Sequence, residues 1–413
     1  MTTSDSGATD RRRGRASAPR EAYVWVWLPA ATTPVVAGRL DAVGGLVTFT
    51  YGRSYRARDE AVALYEPELP LRAGRIDPLP GLSIASCIRD AGPDAWGQRV
   101  ILARRRGSLR ADDDTADLDQ LSYLLESGSD RIGALDFQRS ATEYRPREES
   151  APLVEMQQAA LAVEEGRELS EPLVQALLRA TSIGGARPKV LLDDDGRKLI
   201  AKLSSSADTY PVVRAEAVGL ELARRVGLDV PDSRVIESMG RDVLLVDRFD
   251  RTPVPGQRRM MVSALTILGL DEMMARYATY PDLADVVRAR FTSPRATLRE
   301  LFTRIVFNIC IGNTDDHARN HAAYWDGRRL TLTPAYDLCP QVRSGETAAQ
   351  AMAIGRSGAR SSQLRVCRDS AADYQLDAGD ADAVIDHVVA TIERGWGDAA
   401  DAARLTQLQR NQL

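Results

Sequence analysis

No Cys-x-x-Cys pair occurs in this chain. Its four cysteines, Cys87, Cys310, Cys339 and Cys367, lie far apart, which argues against a disulfide framework and for a reducing, cytoplasmic setting. Histidine is scarcer still, with three residues, His317, His321 and His387. No Glu follows His317, so the motif of a helical zinc hydrolase is left incomplete. No apolar run approaches the length needed to span a membrane. Nor is there an excess of one charge: 54 basic and 58 acidic side chains leave a net −4, which gives no whole-chain case for binding nucleic acid or a membrane. The first twenty residues lack the apolar centre of a signal peptide and carry Arg11 to Arg13, Arg15 and Arg20; residues 1–20 are expected to be a disordered basic tail. What is present is 413 residues with 44% hydrophobic content, enough for real cores in two or three domains.

The most informative run is GNTDDHARNHAAYWDGRRLTLTPAYD, from Gly312 to Asp337. It follows LFTRIVFNICI (Leu301 to Ile311), which has the length and apolar face of a buried helix that Gly312 ends. Asp315 then stands five residues before Asn320. Beyond a hairpin signalled by Asp326-Gly327, between Ala322–Trp325 and Arg329–Thr333, comes Asp337. One carboxylate to accept a hydroxyl proton, with an amide and a second carboxylate as hard oxygen ligands for Mg²⁺, is what kinase-type phosphoryl transfer requires. In this reading Asp315 is the base, Asn320 and Asp337 hold the metal, and His317 orients the loop. Asp316 is set aside only because of its spacing to Asn320. Two blander or rival readings stand beside it: Asp and Asn cap turns readily, and His317 with His321 would share a face if the segment were helical.

Upstream, TSIGGARPKVLLDDDGRKLIAKL (Thr181 to Leu203) sets Gly184 and Gly185 ahead of a strand, a turn at Asp193 to Gly196, and a second strand ending at Lys202. Paired glycines let backbone amides approach a phosphate closely, and Lys189 adds positive charge. Neither the Walker pattern nor the kinase GxGxxG is present. Alternation puts Leu199, Ala201 and Leu203 on one face and Lys202 on the other. The helix expected in PVVRAEAVGLELARRVGL offers Glu216 as its partner. A solvated lysine and a solvated glutamate would explain each alone; their order along the chain is the specific signal.

These motifs, with VDRFDR (Val246 to Arg251) and RDAGPDAWGQRVI (Arg89 to Ile101), resemble the HipA family of bacterial toxin serine/threonine kinases over nearly the whole chain. The resemblance implies ATP bound by Ser182, Ile183, Gly184, Gly185, Ala186, Lys189, Lys202 and His317. It also implies Asp247 to Phe249 as the segment between lobes, whose backbone reads the adenine edge. Ser182 takes the place of a serine that members phosphorylate on themselves as an off-switch. The resemblance further implies a HipB-like helix-turn-helix antitoxin as partner, through which any DNA contact is made, and a protein substrate that is translation-related. Pro188 removes a loop donor, Arg319 stands where a lysine is common, and Leu338-Cys339 follows Asp337. An alternative of another class is a silent, kinase-fold binding module for an antitoxin or its DNA complex.

The expected fold is α+β: a two-lobed, protein-kinase-like core with a small N-terminal β-rich domain and a mostly helical C-terminal lobe. The boundaries read as 21–138 for the N-terminal domain, 153–250 for the lobe with the glycine loop and Lys202, and 251–413 for the helical lobe. YVWVWL and LVTFTY alternate as strands around Gly44-Gly45, and Trp25 and Trp27 read as core. Ala381 to Trp396 and Ala399 to Gln409 read as two helices.

Overall fold

The computed structural model describes residues 18–413, apart from 107–113, 148–151, 166, 168–169, 171–186, 206–207, 343–344 and 346. Among the described residues the strands fall into three sheets. The first joins β1 (Glu21–Val26), β2 (Val35–Val43), β3 (Leu46–Tyr51), β4 (Arg75–Ile76) and β5 (Leu135–Gln138) in the order β4-β3-β2-β1-β5, all antiparallel. Gly44 and Gly45 connect β2 to β3 with φ of 58° and 83°, the left-handed pair that a two-residue hairpin needs to match strand twist. Trp25 and Trp27 are buried, and the Trp27 ring carries the Arg258 guanidinium 3.6 Å from its centroid.

The second sheet runs β6 (Lys189–Asp194), β7 (Arg197–Leu203), β9 (Arg241–Asp247), β8 (Ser233–Ser238), in that order. Its two faces are covered differently. Leu199, Ala201 and Leu203, with Val243 and Leu245, pack on Trp96, Val100, Met156 and Val163 from the helices Ala95–Arg106 and Leu153–Glu164. Leu244 and Val246 belong instead to the main core with the helix Val212–Val226. The alternation that buries Leu199, Ala201 and Leu203 leaves Lys202 on the face turned to that helix.

The third sheet, β10 (Met261–Ser263), β11 (Ala322–Trp325) and β12 (Leu330–Leu332), is small. Around it lie the helices Tyr280–Arg290 and Pro294–Cys310, and the helix Ala378–Ala402 packs on Pro294–Cys310 and Val212–Val226. Pro294–Cys310 buries Leu298, Leu301, Phe302, Ile305, Val306, Phe307 and Ile309, an apolar set at helical spacing. It starts before the expected Leu301, because Pro294 opens the first turn at no hydrogen-bond cost.

The C-terminal pair of helices differs from expectation. A single helix, Ala378–Ala402, continues through Gly395 and Gly397, and a short one, Gln407–Gln412, follows. A Cβ on Gly395 would lie 3.1 Å from Arg225 Cδ: close packing on the helix Val212–Val226 outweighs the weak helical preference of glycine. The break comes where Arg404 adopts φ 57° and Thr406 forms a capping box with Gln409. Among the described residues, no helix is long and apolar enough to cross a membrane.

Candidate active site

Helix Pro294–Cys310 delivers the chain through Gly312, at φ 71°, into the loop that holds Asp315 and Asn320. The two adjacent aspartates have opposite fates. Asp316 is 2% exposed and accepts from the Tyr280 hydroxyl, from Asn308 Nδ2 at 2.7 Å and from His321 Nε2 at 3.1 Å. Its pKa stays below the usual carboxylate range because the surrounding His321 and Tyr280 outweigh burial. Asp316 is therefore spent on holding the loop. Asp315 is exposed, and its backbone carbonyl accepts from Asn320 Nδ2 at 3.1 Å and His317 N at 2.9 Å. Partial desolvation raises its carboxyl pKa; His317 opposes this, and the charges of Asp337 and Asp316 reinforce it.

The bond from Asn320 Nδ2 fixes the orientation of the amide and leaves Oδ1 as the oxygen that a cation could use. His317 Nδ1 accepts from Arg319 N at 3.3 Å, while His321 is buried on Asp316. The segment is a short 3₁₀ turn, Ala318–Asn320, so the two histidines do not share a helical face as a zinc hydrolase would need.

Asp337 comes back to this loop after the β11–β12 hairpin. It sits at φ 62°, a left-handed conformation that costs a non-glycine residue free energy and clusters at functional sites. Asn313 Nδ2 reaches the Asp337 carbonyl at 3.4 Å and Asn308 Oδ1 at 2.9 Å. Lys202 Nζ bonds Asp337 Oδ1 at 2.7 Å and also Glu216 Oε1. Burial alone would lower the lysine pKa, but the two carboxylates outweigh it and keep the ammonium charged. Lys202 in turn holds Asp337 well below the usual carboxylate range, whereas for the enclosed Glu216 burial prevails and its pKa rises. The Asp337 side chain remains 44% exposed, so its carboxylate faces open space as well as the lysine.

Gly219, one turn after Glu216, lets the helix and the Asp337 segment meet. A Cβ there would lie 1.9 Å from the Leu338 carbonyl oxygen, a distance no side chain tolerates, and 3.1 Å from Pro340 Cδ.

Lys189 pairs with Lys202 across β6 and β7 and is buried. Burial and the Lys202 charge lower its pKa, against Asp337 and Asp94. Phe249 packs its ring 5.6 Å from that of Tyr336, the neighbour of Asp337, and its carbonyl accepts from Tyr324 Oη at 2.8 Å. Asp247 is turned elsewhere: its side chain binds Arg197 at 2.6 Å, and its amide and that of Arg248 are donated to the carbonyls of Asp232 and Lys198. Ser182, Ile183, Gly184, Gly185 and Ala186 lie outside the described residues.

Sequence reasoning missed Asn308 and Asn313, which read as helix and turn residues, and Tyr336, whose hydroxyl bonds the Arg319 carbonyl at 2.6 Å. It also missed Asp94. This carboxyl caps the helix Ala95–Arg106 through Gly97 N at 3.0 Å, and its Oδ2 is buried with no hydrogen-bond partner among the described residues. Burial pushes it up to about 6, against the charges of Lys189 and Arg319.

Comparison defines the class first. The chain superposes on a chain of the solved Shewanella oneidensis MR-1 toxin–antitoxin complex of HipA, HipB and operator DNA with a TM-score of 0.67. The match covers 92% of this chain and 93% of that one, at 17% identity. The fold is thus α+β, a two-lobed, kinase-like core with a small N-terminal β-rich domain and a mostly helical C-terminal lobe. Residues 181–396 match the family model described as HipA-like C-terminal domain, and the chain belongs to this family. It is 24% identical over 183 residues to the serine/threonine-protein kinase toxin HipA of Shewanella oneidensis, a match covering 38% of this chain and 42% of that protein. The chain spans about half the length of the curated relatives it matches.

Proposed function

We propose that this protein is an ATP- and Mg²⁺-dependent protein serine/threonine kinase, the toxin of a HipBA-like toxin–antitoxin pair. The observation that carries the reading is the double engagement of Lys202 with Glu216 and Asp337, beside a loop tied to the Asp337 backbone through Asn313. A charged lysine held by a helix carboxylate, next to an open carboxylate on a strained backbone, is an arrangement suited to a triphosphate.

In this reading Lys202 pairs with ATP phosphate oxygens and Glu216 keeps its ammonium aimed. Asp315 accepts the proton of the attacking serine or threonine hydroxyl, and Lys189 adds positive charge at the start of β6. Asn320 and Asp337 fit Mg²⁺ as hard oxygen ligands, one neutral and one held ionised. Bound there, the metal supplies charge neutralisation to the phosphates. Ser182 is the self-phosphorylated off-switch: a phosphoserine would compete with the phosphates for the loop around it. The antitoxin partner, HipB-like, and a protein substrate complete the proposal, with the cytoplasm as its setting.

The test is incubation with labelled ATP and magnesium, followed by mass spectrometry at Ser182. The wild type should acquire label, EDTA should stop it and added magnesium restore it. Absence of label from every serine and threonine, with ATP still bound, would leave a silent binding module.

A further inference from the structure

We propose that Asp130 is a positioning residue for the nucleotide. From the N-terminal β-rich domain it fixes Asp247 to Phe249, the segment that joins the lobes, by holding Arg248 and the next two residues, Asp250 and Arg251. The proposal rests on the kinase reading, which gives that segment its place beside the nucleotide.

Arg248 lies in the middle of the joining segment, and its side chain is 0% exposed. A buried guanidinium must be met by carboxylates and carbonyls, since a buried charge left uncompensated is strongly destabilising. Its partners come from two directions. Asp250, just beyond the segment, accepts from Nε and Nη2 at 2.9 and 2.8 Å. The rest lie more than a hundred residues upstream: Asp130 Oδ1 at 2.9 Å, the Asp130 carbonyl at 3.3 Å and the Arg131 carbonyl at 2.6 Å. Arg251 repeats the pattern, reaching Asp130 Oδ1 at 2.5 Å and the carbonyls of Arg131 and Gly133 at 2.7 and 3.1 Å. Asp250 returns a contact by accepting from Gly133 N at 2.7 Å. Two carboxylates thus meet two guanidiniums in a closed square. Asp130 stays ionised there although burial opposes it, because Arg248 and Arg251 outweigh the burial.

The same few residues are tied both to the strand of Lys202 and to the hairpin that leads to Asp337. The Arg248 amide donates to the Lys198 carbonyl at 2.9 Å, on the strand that carries Lys202. The Phe249 carbonyl accepts from Tyr324, on the strand that follows Asn320. The Phe249 ring rests against Tyr336, next to Asp337. The N-terminal domain therefore clamps the segment at the point where the strand of Lys202 and the hairpin after Asn320 are both attached to it. A change at Asp130 is transmitted to the nucleotide cleft without any contact with the substrate.

The test compares the full-length wild type, Asp130→Asn and Glu68→Gln. Glu68 is buried in the same domain, where it accepts the amides of Ser86 and Cys87, so its loss destabilises that domain away from the clamp. Asp130→Asn should raise KM for ATP about tenfold with kcat within about twofold of wild type. Amides 248–251 should exchange about tenfold faster while those of 301–309 keep their protection. Glu68→Gln should lower Tm without either effect. Should Asp130→Asn fail to fold, Arg251→Lys, which keeps the charge and loses the fork, carries the same expectation in milder form. If Asp130→Asn lowers Tm as Glu68→Gln does and leaves both KM and exchange at 248–251 unchanged, the proposal is overturned. If the wild type neither binds nor turns over ATP, the kinase reading fails instead, and exchange at 248–251 alone decides whether Asp130 holds the segment.

Discussion

Two ionic clusters lie close together in this molecule and are built to opposite rules. Around Arg248, Arg251, Asp130 and Asp250 the charges are balanced, the side chains are at most 15% exposed, and every carboxylate meets a guanidinium. Around Lys202 the balance is left open. Asp337 is 44% exposed and held on a left-handed backbone, and Asp315 is exposed with a raised pKa. A closed cluster has nothing further to bind, so its worth is positional. An open one keeps unmet charge where a metal and phosphates would complete it.

The sharpest way to separate the two is by what each loses. Asp315→Asn should reduce phosphoryl transfer by about 10²–10⁴-fold, the contribution of a general base. Its melting temperature should hardly change, since the side chain is exposed and its carboxylate has no hydrogen bond or ion pair among the described residues. Residual transfer at the wild-type rate in single-turnover assays would show that Asp315 is not the base. In the closed cluster the loss should appear in stability: Arg248→Leu leaves Asp130 and Asp250 sharing Arg251 alone and should cost about 3–5 kcal/mol, readable as a shift in the urea midpoint. A loss below 1 kcal/mol would mean that water replaces the guanidinium.

Gly219→Ala probes the seam between the helix Val212–Val226 and the Asp337 segment. Overpacking should cost about 1–3 kcal/mol, offset by about 1 kcal/mol from better helix propensity. Transfer activity should fall with it, because Leu338 must move and Asp337 moves too. An unchanged crystal geometry at Lys202 would refute this coupling.

The smallest effect contrasts two aspartates by pH. Asp94 is pushed up to about 6 by burial, so the folded chain holds a proton that the unfolded chain has released, and stability should fall as pH rises from about 4 to about 6. Asp130 is held below the carboxylate range. Its contribution is present above the unfolded value of about 4 and disappears as pH falls below it. Asp94→Asn should remove the first slope and Asp130→Asn the second, as measured by Tm across pH 3 to 7. Parallel curves for both variants would contradict the assignment.

Much of the fold was readable because its signals are local. Alternation gave β1 and β3, and Asp326-Gly327 marked the β11–β12 hairpin. The apolar spacing around Phe302 and Val306 marked the helix leading to the site. Lys202 and Glu216 were readable because strand and helix periodicity each put them on a defined face, and both faces turn out to meet. The choice of Asp315 over Asp316 rested on spacing alone; the structure buries Asp316 against Tyr280 and His321 and leaves Asp315 exposed. What stayed hidden depends on distant partners. Nothing near Arg248 announces Asp130, 118 residues earlier, and Gly219 looks like a weak spot in a helix until Leu338 is placed beside it.

That contact at Gly219 has a mechanical corollary. Where a side chain separates two elements, one can roll while the other stays; here a helix backbone bears straight on a carbonyl, with no cushion between them. Tilting the helix to unhook Glu216 would drag Asp337 along. In the proposed reading, bound nucleotide and bound metal should each change the affinity for the other by the same factor, and a variant of this helix that alters that factor should alter it equally in both titrations.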